Sequence, residues 1–387
     1  MHLTSLSFAH PAVPAERRAP LFVSEDLIYP AHQRLRSQGH QAFLLSTCLR
    51  VEIAWVAEGL PSGEVLGLLY GDDSMSTLAN QRVGEAAFAH LSRVAAGLES
   101  PLVGETEVLS QFRAAVSRLQ SVHGGDGDLV RVLEAAVGIG RTTRRLLGDA
   151  PRGSLGRLAA TVAAGHGPVA ILGSGAMARA AAEHLDGAKV TVFARRAVEI
   201  GGRASVSWDL VPDALASSAV VISTIPGDGP MFSDEVARRA RDSSREPLLL
   251  IDLGMPPAFR RPHASTGVRY LGVDEIASSI GHRPALEVNE RVSRAAAAVW
   301  HRLCAPERVG AVIAALIEQA DATVAEEVQR FAARLATASD PEQIMQQLAH
   351  SVARRVLHRP ISYVASSERG ADVAQTLAEA FGVADGD

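Results

Sequence analysis

A four-residue apolar run, Val169-Ala170-Ile171-Leu172, leads straight into Gly173-Ser174-Gly175-Ala176-Met177-Ala178, and few chain geometries accept that junction. Gly173 permits a tight turn out of a strand. Gly175 lets the backbone approach a pyrophosphate, and Ala178 in the third position still allows a helix to pack closely on the strand. The N–H groups that open the following helix would face the phosphates. A lone G-x-G-x-x-A is a weak signal. Here a strand precedes it, a helical stretch follows, and a second apolar run, Val190–Phe193, comes next. Gly173, Ser174, Gly175, Ala176, Met177 and Ala178 are therefore the candidate cofactor-binding residues. The second run ends in Ala194-Arg195-Arg196. A site for NAD usually carries Asp or Glu there for the ribose hydroxyls, whereas arginine suits a 2′-phosphate, so Arg195 points to NADP(H). The competing reading is that these arginines cover a sheet edge.

Two further runs, Val220–Ser223 and Leu248–Asp252, are short and strongly apolar, as parallel strands buried on both faces are. With amphipathic helices between them, residues 168 to 285 read as a doubly wound α/β sheet. The 387 residues, 47% of them hydrophobic, suffice for two or three domains. Ahead of the glycine loop, Phe43–Leu45 and Val51–Val56 read as strands flanking Ser46-Thr47-Cys48-Leu49-Arg50. Residues 84–119 read as helical, with a break at Val103-Gly104, and residues 148–153 form a turn-rich joint. After residue 286 the pattern is helical, with no strong breaker from Glu287 until Pro306. Ile313, Leu316, Ala320, Val324, Val328, Phe331 and Leu335 then recur every three or four residues. So long a stripe suggests pairing of helices between subunits, although an ordinary helical bundle has the same period.

Composition removes several function classes. A net charge of −5 is unlike a general nucleic-acid coat, so any RNA contact would rest on local arginines. Lys189 is the single lysine, which leaves no P-loop lysine and little scope for Schiff-base chemistry. Two cysteines, Cys48 and Cys304, are too few for a disulfide scaffold and indicate a cytoplasmic protein; no Cys/His cluster has metal-site spacing. The N-terminus has no signal-peptide pattern, and no membrane span is expected.

A cysteine nucleophile needs a lowered pKa or a neighbouring base. Arg50 supplies positive charge two residues from Cys48, and His90 is a candidate partner. By itself Cys48 reads more readily as an inert buried thiol than as a nucleophile.

The motifs taken together are more specific. Ser46-Thr47-Cys48-Leu49-Arg50-Val51-Glu52 resembles the Ser-Thr-Cys-Asn-Arg-x-Glu signature of the glutamyl-tRNA reductase family. The stretch from His90 through Ser100 to Glu105 resembles the family's second long motif, with Gln111 in place after it. The glycine loop matches the family's Gly-x-Gly-x-Met-(Gly/Ala). Asp252-Leu253-Gly254-Met255-Pro256, Val273-Asp274 and Arg355-Val356-Leu357-His358-Arg359-Pro360 resemble its later segments. The matches keep family order and spacing over nearly the whole chain.

That resemblance implies an α+β N-terminal catalytic domain over residues 1–155, a Rossmann-type NADP-binding domain over 156–285, and a spinal helix with a helical dimerisation domain over 286–387. It implies NADPH-dependent reduction of glutamyl-tRNA to glutamate-1-semialdehyde for tetrapyrrole synthesis, through a thioester on Cys48. His90 would assist catalysis, with Thr47, Arg50, Ser100, Glu105, Glu107 and Gln111 around the substrate. The implied partners are a charged tRNA, a second copy of the chain and a downstream aminomutase.

Several positions depart from the family pattern. Its Asn after the cysteine is Leu49, its Gln in Gly-Glu-x-Gln is Glu107, and a later Ser aligns with Gly156. The family's Arg-Thr-Glu-Thr becomes Arg144-Arg145-Leu146-Leu147, and its N-terminal Asn-His-Lys-Thr-Ala-Pro becomes Ala9-His10-Pro11-Ala12-Val13-Pro14. An added carboxylate beside a glutamate-binding arginine should weaken an anionic substrate. Besides ordinary divergence, two readings stay open: a paralogue that reduces another aminoacyl-tRNA or acyl donor, and a non-catalytic family member with a binding or regulatory role.

Overall fold

The structure is a computed structural model. It describes residues 1–102, 106–125, 127–147, 154–185, 189–227, 231–241, 246–262, 267–279, 286–367 and 370–381. Two compact units emerge, Met1–Leu303 and Cys304–Asp387.

The first unit opens with a four-stranded antiparallel sheet in the order β2-β3-β1-β4, made from β1 (Leu3–Ala9), β2 (Phe43–Ser46), β3 (Arg50–Val56) and β4 (Asn80–Val83). Alternation along β3 sorts its residues. Val51, Ile53 and Trp55 join Leu6 and Phe8 of β1 in one apolar cluster, together with residues of α2 (Glu25–Ser37) and α3 (Ser62–Tyr70). Arg50 and Glu52 therefore share the opposite face, where Ser7 of β1 pairs with Glu52. That face is covered by α4 (Gly84–Ala95), α5 (Thr106–His123) and α6 (Asp128–Leu146). After α4, residues 96–102 lie outside any helix. Val103 and Gly104 lie outside the described residues, as do residues 148–153 of the expected joint. A short helix, α1 (Ala15–Arg18), follows β1.

The second layer system begins with α7 (Leu155–Ala163), capped by Ser154, whose hydroxyl accepts the Arg157 N–H. Six parallel strands follow in the order β12-β11-β10-β5-β6-β9. They are β5 (Val169–Leu172), β6 (Val190–Ala194), β9 (Val206–Ser207), β10 (Val220–Ser223), β11 (Leu248–Asp252) and β12 (Val268–Gly272); a small hairpin, β7 (Glu199–Ile200) with β8 (Arg203–Ala204), stands apart. The helices α8 (Ala176–His184), α9 (Val211–Ser217), α10 (Ser233–Arg241) and α11 (Val273–Ser278) complete a doubly wound domain, as the buried apolar runs predict. Ile171, Ile222 and Ile251 face one apolar cluster, while Ala170, Val221 and Leu250 face the other.

Helix α12 (Leu286–Ala336) is continuous across position 306, where the sequence suggested a breaker. A proline removes one N–H donor from the ladder, and the long helical runs on both sides keep theirs. The second unit continues with α13 (Pro341–Ser366), which starts on the Asp340 cap with proline at its first position, and α14 (Gly370–Phe381). Within this unit Arg355 reaches Glu327 at 2.6 Å and Glu326 at 2.9 Å. Of the expected stripe, Phe331 is buried, whereas Ile313, Leu316, Val324, Val328 and Leu335 are exposed. No helix among the described residues is long and apolar enough to cross a membrane.

Candidate active site

Cys48 sits at the tip of the β2–β3 hairpin, half-buried and outside any disulfide. Thr47 builds the turn beneath it. Its hydroxyl accepts the N–H groups of Leu49 (3.3 Å) and Arg50 (3.2 Å) and lies 3.4 Å from the Arg50 carbonyl, which also takes the Thr47 N–H at 2.8 Å. The side chain thus serves the loop as a local Ser/Thr turn.

Behind the hairpin lies a buried chain of charges that sequence reading only partly anticipated. The Arg50 guanidinium donates to Glu52 Oε1 at 3.0 Å and to the carbonyl of Glu99. Glu52 also accepts the Ser7 hydroxyl at 2.9 Å and meets His90 Nε2 at 2.9 Å. His90 Nδ1 lies 3.8 Å from Glu99 Oε1, which Arg93 holds at 2.6 Å. Arg50, Glu52 and His90 are all buried. Burial alone would raise the Glu52 and Glu99 carboxyls. The charge and hydrogen bonds of His90, with Arg50 and Ser7 at Glu52 and Arg93 at Glu99, reverse this and hold both below the usual range. Burial alone would lower His90, but Glu52, aided by Glu99, holds it above its ordinary value and favours the imidazolium.

The remaining candidate substrate residues are spread around this core. Ser100 is buried just after Glu99. Glu107 is half-buried in the first turn of α5, its carboxyl pushed up by burial, and Gln111 is exposed one turn later. Glu105 lies outside the described residues. Glu52, Glu99 and Arg93 were not assigned roles from sequence. Glu52 was discoverable there, since residues two apart on a strand share a face, whereas the Glu99 contacts arise where the chain turns after α4.

The glycine loop occupies the carboxyl end of β5, at the centre of the parallel sheet. Gly173 takes φ +121°, and a Cβ there would stand 2.4 Å from Thr224 Oγ1. Ser174, Gly175 and Ala176 are exposed, Met177 is half-buried and Ala178 is fully buried against the sheet. A Cβ on Gly175 would meet nothing within 4 Å. The protein's own packing does not demand that glycine, and its open backbone fits the approach of a pyrophosphate to the start of α8. Arg195, exposed at the end of β6, lies 5.7 Å from the centre of the Trp208 ring. Gly156 has the opposite character to Gly175. A Cβ there would stand 2.1 Å from the Met177 carbonyl oxygen, so α7 and the cofactor loop approach too closely for any side chain.

The two halves share a core. Leu49 is buried in the same apolar cluster as Ile171, Ala178, Val273 and Ile276, with Cys48 packed at its edge. A cleft of about 860 Å³ opens nearby at the carboxyl ends of β11 and β12, lined among others by Glu16, Asp252, Tyr270 and Asp274. Ligands of open α/β sheets bind at this end of the strands.

A dehydrogenase-type dinucleotide domain, fused through one core to a domain presenting a cysteine, defines an oxidoreductase that uses a nicotinamide cofactor. Residues 6–146 match the family described as Glutamyl-tRNAGlu reductase, N-terminal domain; residues 158–279 match Shikimate / quinate 5-dehydrogenase; residues 292–383 match Glutamyl-tRNAGlu reductase, dimerisation domain. The chain is 30% identical to Glutamyl-tRNA reductase 2 of Anaeromyxobacter sp. (strain Fw109-5), over 82% of its own length and 80% of the relative's. It belongs to the glutamyl-tRNA reductase family. It is also 27% identical to the Glutamyl-tRNA reductase of Myxococcus xanthus (strain DK1622), over 99% of this chain and 94% of that one. A solved structure, Glutamyl-tRNA Reductase from Methanopyrus kandleri, aligns with 25% identity and a TM-score of 0.41, covering 96% of this chain and 97% of that one.

Proposed function

We propose that this chain reduces glutamyl-tRNA to glutamate-1-semialdehyde with NADPH, the step that supplies tetrapyrrole synthesis. The observation that carries the reading is the shared core: Leu49 and Cys48 pack into the cluster that also supports β5 and α8. A thiol that must first accept an acyl group and then present that thioester for reduction needs such proximity to a dinucleotide.

In this reading the Cys48 sulfur attacks the ester carbonyl of the charged tRNA. A C–S bond forms, the C–O bond to the terminal ribose breaks, and the departing oxygen takes up a proton. A nicotinamide cofactor held at Gly173 to Ala178 would supply the hydride for reducing the thioester carbon, ending oxidised. As the C–S bond breaks, its electron pair returns to the Cys48 sulfur and the aldehyde leaves. Arg50 is the residue assigned to the substrate carboxylate, through guanidinium N–H groups left over from Glu52 and the Glu99 carbonyl. His90 is buried and engaged with Glu52, which supports a positioning role exerted on Arg50 through that carboxylate. Gly173 to Ala178 would hold the pyrophosphate, and Arg195 a 2′-phosphate, which favours NADPH over NADH.

The functional divisions proposed are residues 1–155 for the acyl group, 156–285 for the cofactor and 286–387 for pairing two copies of the chain in the cytoplasm. The exposed apolar side chains from Ile313 to Leu335 support a homodimer. An aminomutase is the proposed recipient of the reactive aldehyde.

The deciding experiment is intact mass spectrometry after mixing the protein with charged tRNAs and no NADPH. A glutamyl adduct on Cys48, absent in Cys48→Ser, is expected. An adduct of a different amino acid would identify a paralogue, which Leu49 and Glu107 favour. No adduct with any charged tRNA, together with no binding of NADPH, would leave only the non-catalytic reading.

A further inference from the structure

Arg18 is fully buried at the end of α1, and no role has been assigned to it above. One of its terminal nitrogens, Nη2, donates both to the Cys48 carbonyl at 3.1 Å and to Asp274 Oδ1 at 2.7 Å. The other, Nη1, donates to the Val13 carbonyl. Asp274 is the second residue of α11 in the dinucleotide domain, and it gathers more than Arg18. His10 Nδ1 lies 3.2 Å from the same oxygen, and the Ala15 N–H donates to Oδ2 at 2.7 Å. Burial would raise the Asp274 carboxyl, but His10, Arg18 and the Ala15 N–H hold it down at about 2. The residue before Asp274, Val273, lies in the cluster that also buries Leu49. Thus a polar tie and an apolar seam join the same two segments: the cysteine loop and the start of α11.

We propose that Arg18 and Asp274 form a positioning pair. It fixes the backbone of the cysteine loop relative to the dinucleotide domain, and so sets the register in which an acyl group on Cys48 meets the cofactor. The inference rests on the two-site reaction proposed above. Forming the thioester needs only the N-terminal domain, so the pair contributes little to it. Reducing the thioester needs both sites in register. Misplacement by about 1 Å can cost such a step about a hundredfold. Neither residue touches the reacting atoms. Each acts through the Cys48 carbonyl and the domain seam.

The test uses full-length Asp274→Asn, which keeps shape but removes the charge, and Arg18→Lys, which keeps charge but loses the fork. Acylation is followed by intact mass with glutamyl-tRNA alone. Reduction is then started by adding NADPH to the preformed acyl-enzyme. Acylation within about twofold of the parent and reduction slowed about tenfold or more are expected, with the stranded thioester hydrolysing to glutamate. Equal slowing of both steps, or unchanged reduction, would overturn the proposal. If the parent itself forms no thioester, the catalytic reading has failed, and amide exchange still decides on the tie. Faster exchange at residues 47–50, beside that at Ala15, in Asp274→Asn supports it; unchanged exchange at 47–50 overturns it.

Discussion

Arg50 Nη1 lies 3.0 Å from Glu52 Oε1, and neither side chain is more than 3% exposed. Removing one partner of a buried pair leaves the other uncompensated, which costs about 3 kcal/mol or more. Glu52→Gln should therefore lower the unfolding free energy of the N-terminal domain, read from urea titration, by about that amount, and loosen Arg50 at the same time. The pH dependence follows from the directions of the shifts. Glu52 and Glu99 are held below the ordinary 4.5, so their contribution is present above 4.5 and lost as pH falls through the folded values. His90 is held above 6.5, so its contribution is complete below 6.5 and lost as pH rises through its folded value. Urea titrations across pH should show both limbs in the parent and a weakened acid limb in Glu52→Gln.

Gly156 offers a sharper test of the cofactor loop. With the Met177 carbonyl oxygen 2.1 Å from where a Cβ would stand, Gly156→Ala must push α7 away from the turn. Overpacking of this kind typically costs about 1–3 kcal/mol. NADPH affinity, measured by quenching of protein fluorescence, should fall about tenfold or more, while alkylation of Cys48 by iodoacetamide proceeds at the parent rate. Unchanged NADPH affinity would show that the turn can relax.

Much of this architecture is legible in the sequence. The four apolar runs ending at Leu172, Phe193, Ser223 and Asp252 are parallel strands, because strands covered on both faces have no polar period to hide them. The same reasoning placed the glycine turn on the right strand. Less visible were contacts made across hundreds of residues, such as Arg18 with Asp274, since nothing local in Ala15–Arg18 marks an arginine that will be fully buried. Gly156 read as the loss of a serine, whereas the structure makes it a packing requirement imposed by Met177. Leu49 likewise read as the loss of an amide, and its side chain fills the seam between the domains.

Arg195 carries the proposed preference for NADPH over NADH. It is exposed and lies over the Trp208 ring, an arrangement that keeps the guanidinium extended beside the end of β6. Arg195→Ala should raise the KM for NADPH about tenfold or more while leaving the KM for NADH within about twofold, since a phosphate contact of this kind is worth roughly 1.5–3 kcal/mol. Steady-state kinetics with both cofactors read the difference. Parallel changes for the two would remove the 2′-phosphate from the account of Arg195.

Glu107 stands where the family pattern carries glutamine, and burial raises its carboxyl. The protonated acid can donate a hydrogen bond as an amide does; the carboxylate repels an anionic substrate. The KM for glutamyl-tRNA should therefore rise with pH in the parent, and Glu107→Gln should flatten that rise. A pH profile that keeps its slope in the variant would assign the titration to another group.

The last prediction concerns two buried groups whose titrations oppose one another in different domains. His32, on α2, is held down to about 4 by burial and by the nearby His123 and Arg118. Its ring meets His123 edge-on at 5.8 Å between centroids, and neither ring nitrogen has a hydrogen-bond partner among the described residues. A histidine depressed in this way favours unfolding as pH falls from 6.5 to 4, because the unfolded chain takes up the proton first. Asp252, at the end of β11, is pushed up to about 6 by burial, although the N–H groups of Gly254 and Phe259 point at its carboxyl. Its contribution is complete below 3.8 and lost as pH rises through about 6. Each effect is worth about 3 kcal/mol at full extent. Amide exchange resolved by segment should therefore show β1 to β3 losing protection between pH 6.5 and 4 while β10 and β11 gain it. His32→Leu should abolish the first trend and Asp252→Asn the second, each leaving the other in place. Loss of both trends in either single variant would mean that the two domains unfold as one cooperative block.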